Sequence, residues 1–177
     1  MQPKLATNST AYIMNSNLTR VIVSLTSYPA RIETVHLAIE SLIAQSVKPW
    51  KIVLWLSKDE FPSGRVSLPP RLTALENDSL FEIEWVEKNY RPYNKLVHAL
   101  RKYPDCAIIT VDDDLLYPSD MVERLLAAHE KYPEFIKAMR VRTMTAKAGK
   151  VQPFLDWLPT WRGGQNSAKA SFDNSIL

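Results

Sequence analysis

At 177 residues the chain has the length of one domain and can bury on the order of 70% of the surface its unfolded form exposes. Hydrophobic residues at 46% and charged residues at 23% exclude a disordered or fibrous class. A net charge of +3, with a pI near 8.9, is too mild for a nucleic-acid footprint, so no nucleic-acid partner is expected.

Residues 1–19 are rich in Ser, Thr and Asn without apolar periodicity and are expected to be a flexible leader. They carry no basic segment followed by an apolar one, and no run in the chain approaches the roughly 18 apolar residues of a membrane span. The composition is cytosolic-looking, and the mild basicity is compatible with peripheral contact at a membrane surface. Three matches to the glycosylation sequon, at Asn8, Asn17 and Asn77, are set aside for want of a secretory signal.

The fold is expected to begin with a strand, Val21-Ile22-Val23-Ser24-Leu25, then a polar turn, then a helix outlined by Ile32, Val35, Ile39, Leu42 and Ile43. Lys51 to Leu56 gives a second buried strand, which completes a βαβ unit. Four turn formers, Pro62, Gly64, Pro69 and Pro70, predict an irregular loop followed by a short helix. Phe81 to Val86 alternates apolar and polar residues, the pattern of a strand covered on one face and near a sheet edge. Leu96, Val97, Leu100 and Tyr103 outline a helix that ends before Pro104. Cys106 to Val111 reads as a central strand, with Cys106, the lone cysteine, as a small core residue. Ser119 is expected to cap a helix through Val122, Leu125, Leu126 and Tyr132, which Pro133 closes. Ala138 to Met144 offers a further strand. Strands and helices alternating in this way predict an α/β fold, a Rossmann-type sandwich whose mostly parallel sheet has helices on both faces.

The chemistry concentrates at Asp112-Asp113-Asp114, directly after the last buried strand. Ligands of open α/β sheets bind in the crevice beyond the carboxyl ends of the strands. Three adjacent carboxylates repel unless a cation offsets them. Hard oxygens with no His or Cys nearby favour Mg²⁺ or Mn²⁺, and Mg²⁺ keeps one or two protein carboxylates while substrate phosphates fill other positions. A bare Asp triplet would more simply end a strand and solvate a turn; the strand before it and the segments upstream favour a site. His36, His98 and His129 lack metal-ligand spacing and are expected at ordinary helix positions. Neither the Gly-x-Gly-x-x-Gly fingerprint nor the Walker phosphate loop is present, so a bound nucleotide diphosphate would need metal and basic side chains, with Arg91 and Lys95 as candidates.

The ordered segments Val23-Ser24-Leu25-Thr26-Ser27-Tyr28-Pro29-Ala30-Arg31, Tyr93-Asn94-Lys95-Leu96 and Ile109-Thr110-Val111-Asp112-Asp113-Asp114, the last followed by Leu116-Tyr117-Pro118, resemble bacterial nucleotide-sugar glycosyltransferases with the GT-A fold, family 2 type. The resemblance covers roughly residues 20–145 and makes that span the donor-binding domain. It implies that Asp114 ligates Mn²⁺ or Mg²⁺ at the donor's two phosphates and that Asp112 touches the ribose or the metal, with Asp113 between them. It further implies that Thr26, Ser27, Tyr28 and Arg31 contact the nucleoside, that Asp59 meets the base edge, and that Lys95 faces the diphosphate or the sugar. Simpler roles stand beside these: Tyr28 and Pro29 shaping a turn, Asp59 solvating a loop, Lys95 on a helix surface.

The implied activity is transfer of a sugar from a nucleotide-diphosphate donor, a UDP-sugar first among candidates, to a saccharide acceptor in bacterial surface polysaccharide synthesis. The family continues into an acceptor half with a Gly-Gly-x-x-Tyr-Pro-Pro-like segment. Residues 146–177 resemble only its beginning, with Ser171 to Ser175 approaching that segment and Gly163-Gly164 not matching it. Asp156 and Asp173 sit in no matching motif, so no catalytic base is assigned. Trp157 and Trp161 are candidates either for an acceptor-sugar platform or for buried packing. A truncated, donor-binding but inactive domain is the alternative. A haloacid-dehalogenase-like phosphatase ranks lower, because its motif ends the first strand of its domain and here roughly ninety residues of α/β pattern precede the acids.

Overall fold

The computed structural model describes residues 20–159. The leader at 1–19, Trp161, Gly163, Gly164, Asp173 and the sequons at Asn8 and Asn17 lie outside the described residues. Four strands, β1 (Val21–Thr26), β2 (Lys51–Ser57), β3 (Phe81–Val86) and β4 (Ala107–Thr110), form one sheet in the order β3-β2-β1-β4, with every neighbouring pair parallel. Helices α1 (Val35–Ile43), α2 (Pro70–Ala74), α3 (Asn94–Lys102) and α4 (Met121–Lys131) surround it. The expected α/β architecture is therefore present, and β3 is an edge strand as its alternation indicates.

Strand parity separates two cores. On β1, Val23 and Leu25 face the layer that holds Val35, Ile39 and Leu42 of α1, Leu72 of α2 and Met121 and Val122 of α4. Ile22 faces the opposite way, toward Ala99 of α3. On β2, Ile52, Leu54 and Leu56 join the first core, and Val53 and Trp55 the second. A strand buried on both faces needs an unbroken apolar run, which is what Ile52 to Leu56 supplies. Each large aliphatic side chain so buried stabilises the fold by about 1.5–3 kcal/mol.

Four expectations need correction. Among the described residues the strand before the acids is not central: β4 lies at the edge of the four-stranded sheet, beside β1. Its apolar run is explained by helices on both faces rather than by strands on both sides. The alternation of β3 does not mark a solvent-facing side. Glu82 and Glu84 are half-buried beside the C-terminal end of α3, where Lys102 Nζ donates to Glu84 Oε1 at 2.6 Å and the Tyr103 hydroxyl donates to Glu82. Although burial opposes it, the Tyr103 and Lys102 contacts hold the Glu82 carboxyl below its usual range.

Ser119 does not cap α4. The N-cap residue is Asp120, without a side-chain cap bond, and the Val122 N–H of the first turn instead donates to Oε1 of Gln45 at 3.0 Å. Ser119 contributes its carbonyl, which accepts from Ser46 N–H at 2.7 Å. The strand expected over 138–144 contracts to β5 (Arg142–Thr143), paired antiparallel with β8 (Leu158–Pro159). A second small hairpin joins β6 (Ala146–Lys147) to β7 (Lys150–Val151). Among the described residues no helix is long and apolar enough to cross a membrane.

Candidate functional site

The chain runs from β1 to β2 to β3 on one side of β1, then returns across the sheet through α3 to place β4 on the other side of β1. Strand order therefore reverses between β1 and β4, and the crevice at their carboxyl ends is where open α/β sheets hold ligands. The acid triplet follows β4, and the Ser27–Arg31 turn follows β1, so both sequence-predicted segments meet at this reversal.

The contacts across it are direct. Ser27 Oγ donates to Asp113 Oδ2 at 2.6 Å, and Arg31 Nη1 donates to Asp113 Oδ1 at 3.0 Å. The same guanidinium nitrogen lies 2.8 Å from Asp114 Oδ2. From the other face of the sheet, Lys95 Nζ lies 2.5 Å from Asp112 Oδ1 and donates to the Val111 carbonyl at 3.1 Å. Asp113 is buried, whereas the Asp112 and Asp114 side chains are 59% and 47% exposed. The hydrogen bond from Arg31 to Asp113 and the charges of Asp113 and Asp114 raise the guanidinium's pKa. Three carboxylates face two cations here, which leaves one formal negative charge at the mouth of the crevice.

Local folding sets these positions. Tyr28 to Thr34 is a turn, closed by Arg31 N–H to the Tyr28 carbonyl at 2.9 Å, so α1 begins at Val35 rather than at Ile32. Lys95 lies in the first turn of α3, and its carbonyl accepts from Ser24 Oγ at 2.5 Å. Ser24 Oγ in turn accepts from Trp55 Nε1 at 2.8 Å. A buried serine, satisfied on both sides, thus ties β1, β2 and α3 together under the lysine.

Other predicted residues stand differently. Thr26 sits at the end of β1, where its hydroxyl donates to the Trp55 carbonyl at 2.7 Å. Tyr28 is 44% exposed and its ring centroid is 5.6 Å from the Arg31 guanidinium carbon. Asp59 is exposed two residues beyond β2, and no described contact joins it to the triplet. Arg91 is exposed in the turn before α3 and forms no described ion pair with the acids. His98 stacks on Trp55, with centroids 5.6 Å apart, and His36 bonds the Glu33 carbonyl within its own turn, so both are ordinary helix residues. Trp157 is half-buried, and its Nε1 donates to the Gln152 carbonyl at 2.8 Å.

Two residues that sequence reasoning missed shape the acid loop. The Asp112 N–H donates to the Tyr117 hydroxyl at 2.7 Å, and that hydroxyl donates to the Asp112 carbonyl at 3.1 Å. Burial, helped by the neighbouring aspartates, pushes the Tyr117 phenol up to about 12. Gln45 is buried and binds the loop's far end, its Nε2 donating to the Pro118 carbonyl at 2.8 Å. A glutamine three residues after Leu42, continuing the apolar spacing of α1, was the available signal for Gln45.

Among the described residues no group of three or more His, Cys, Asp or Glu side chains converges as a ready-made metal cage. Asp112 and Asp114 nevertheless each keep one carboxylate oxygen outside the ion pairs above, and both are open to solvent. Two hard, exposed oxygen donors fit an Mg²⁺ or Mn²⁺ that completes its shell with phosphate and water. Compared with known proteins, the chain matches no protein-family model and no curated protein.

Proposed function

We propose that the chain carries the donor site of a metal-dependent glycosyltransferase with the GT-A variant of its α/β fold. The reading assigns it transfer of a sugar from a nucleotide-diphosphate sugar, a UDP-sugar first, to a saccharide acceptor in bacterial surface polysaccharide synthesis at the cytoplasmic side of the membrane. The observation that supports it is the meeting, at the reversal between β1 and β4, of two exposed carboxylates with two basic side chains from separate layers. Asp114 and Asp112 would hold the metal, which supplies positive charge to the leaving diphosphate. Lys95 and Arg31 add charge of the same sign, which favours the negative charge that develops on the leaving diphosphate. Tyr28 offers an exposed ring for the nucleoside.

Titration calorimetry with UDP, GDP and CMP, in Mn²⁺ and in chelator, tests the reading. One nucleoside diphosphate should bind in a metal-dependent way, and Asp114→Ala should weaken it by about tenfold or more, a loss of at least ~1.4 kcal/mol. Unchanged affinity in Asp114→Ala, or binding indifferent to metal, would remove the donor-site reading. Phosphate-ester hydrolysis lost in Asp112→Asn would favour the phosphatase instead.

A further inference from the structure

The acid triplet already has cations, and they belong to the chain. The two are held differently. Lys95 is 21% exposed at its side chain, donates to a backbone carbonyl as well as to Asp112, and has its own carbonyl anchored by Ser24. Arg31 is 42% exposed, and the described contacts of its guanidinium are Asp113, Asp114 and the Tyr28 ring.

A guanidinium does not lose its proton at any ordinary pH, so only competition can dislodge it. A free divalent ion that takes Asp114 from Arg31 leaves the guanidinium with Asp113 as its one described carboxylate partner, beside a second cation. A divalent ion already bound to a diphosphate brings the anion that Arg31 would accept in exchange. The planar fork of arginine suits phosphate oxygens as well as carboxylate oxygens. We infer that Arg31 is a displaceable counter-cation, which holds Asp113 and Asp114 against free divalent ions and releases Asp114 when a metal–diphosphate complex enters. The inference rests on the donor-site reading and goes beyond it. Arg31 becomes a gatekeeper as well as a charge at the diphosphate, and the site takes metal and diphosphate together rather than metal first.

The test measures Mn²⁺ binding to the full chain from the spin-resonance signal of free Mn²⁺, with and without UDP or GDP, in wild type, Arg31→Gln and Arg31→Lys. Arg31→Gln should bind Mn²⁺ alone about tenfold more tightly, as expected when a cation in contact with the carboxylates is removed. Its Mn²⁺-dependent affinity for the diphosphate should fall by a similar factor. Arg31→Lys keeps the charge and should stay near wild type for Mn²⁺ alone, which separates the electrostatic effect from any misfolding. Equal Mn²⁺ affinity in wild type and Arg31→Gln, with diphosphate binding intact, overturns the inference and leaves the donor-site reading standing. No diphosphate binding by any of the three proteins overturns both.

Discussion

Tyr117 turns three adjacent aspartates into a shaped loop. By accepting the Asp112 N–H and donating to the Asp112 carbonyl, its hydroxyl closes the segment on itself and keeps the Asp112 side chain outward, toward Lys95. The fold favours the neutral phenol, since its pKa rises from 10.0 to about 12. This contribution to stability is therefore complete below pH 10 and is lost as pH rises through about 12. Tyr117→Phe should remove one late-titrating phenol, seen by ultraviolet absorbance against pH, and reduce the alkaline loss of stability. Identical phenolate titrations in wild type and variant would contradict this. At neutral pH the same change should cost about 1–2 kcal/mol, the net worth of the two hydrogen bonds it removes. The acids themselves were legible in the sequence because charge directly after a buried run is conspicuous. Their partners were not: Arg31 and Asp113 are separated by eighty-odd positions, and no local pattern records which carboxylate a given cation faces.

At the scale of elements, Gln45 does the work that a local N-cap would do. Lying beyond α1, it satisfies an N–H of α4 and the Pro118 carbonyl at once, so the loop bearing the acids is fastened at its far end by another helix's terminus. Gln45→Ala leaves the buried Val122 N–H without this partner, while the Pro118 carbonyl keeps the Met121 N–H, and should destabilise the chain by about 1–3 kcal/mol, read from the denaturant midpoint. A shift below about 0.5 kcal/mol would show that water replaces the amide. The elements themselves were largely readable from apolar periodicity, because β1, β2, α3 and α4 each bury a face whose spacing matches their geometry. Their ends were less readable. Ile32 continues the helical spacing of α1 although it lies in a turn, and Ser119 resembles a cap although a residue distant in sequence fills that place. The β3 glutamates looked solvent-facing because periodicity shows that a face is polar, not that Lys102 and Tyr103 lie above it.

For the whole molecule, alternation of strands and helices made a parallel α/β sheet legible, whereas the order β3-β2-β1-β4 was not. Periodicity assigns faces to a strand but says nothing about its neighbours, so β4 looked central on the strength of its apolar run. Its true place at the reversal beside β1 is what brings the two loops together. The parity of β1 has a further consequence for how the site is mounted. Arg31 reaches the acids from the turn that leads into the α1 layer, and Lys95 reaches them from α3 on the opposite face. They grip different carboxylates and hang from separate cores. The shifts in denaturant midpoint from Arg31→Gln and Lys95→Gln should therefore add in the double variant, as changes with no shared side-chain partner do. Shifts that fail to add would mean that the two faces of the sheet move as one body. With independent mounts, evolution or an engineer can retune one cation without disturbing the other.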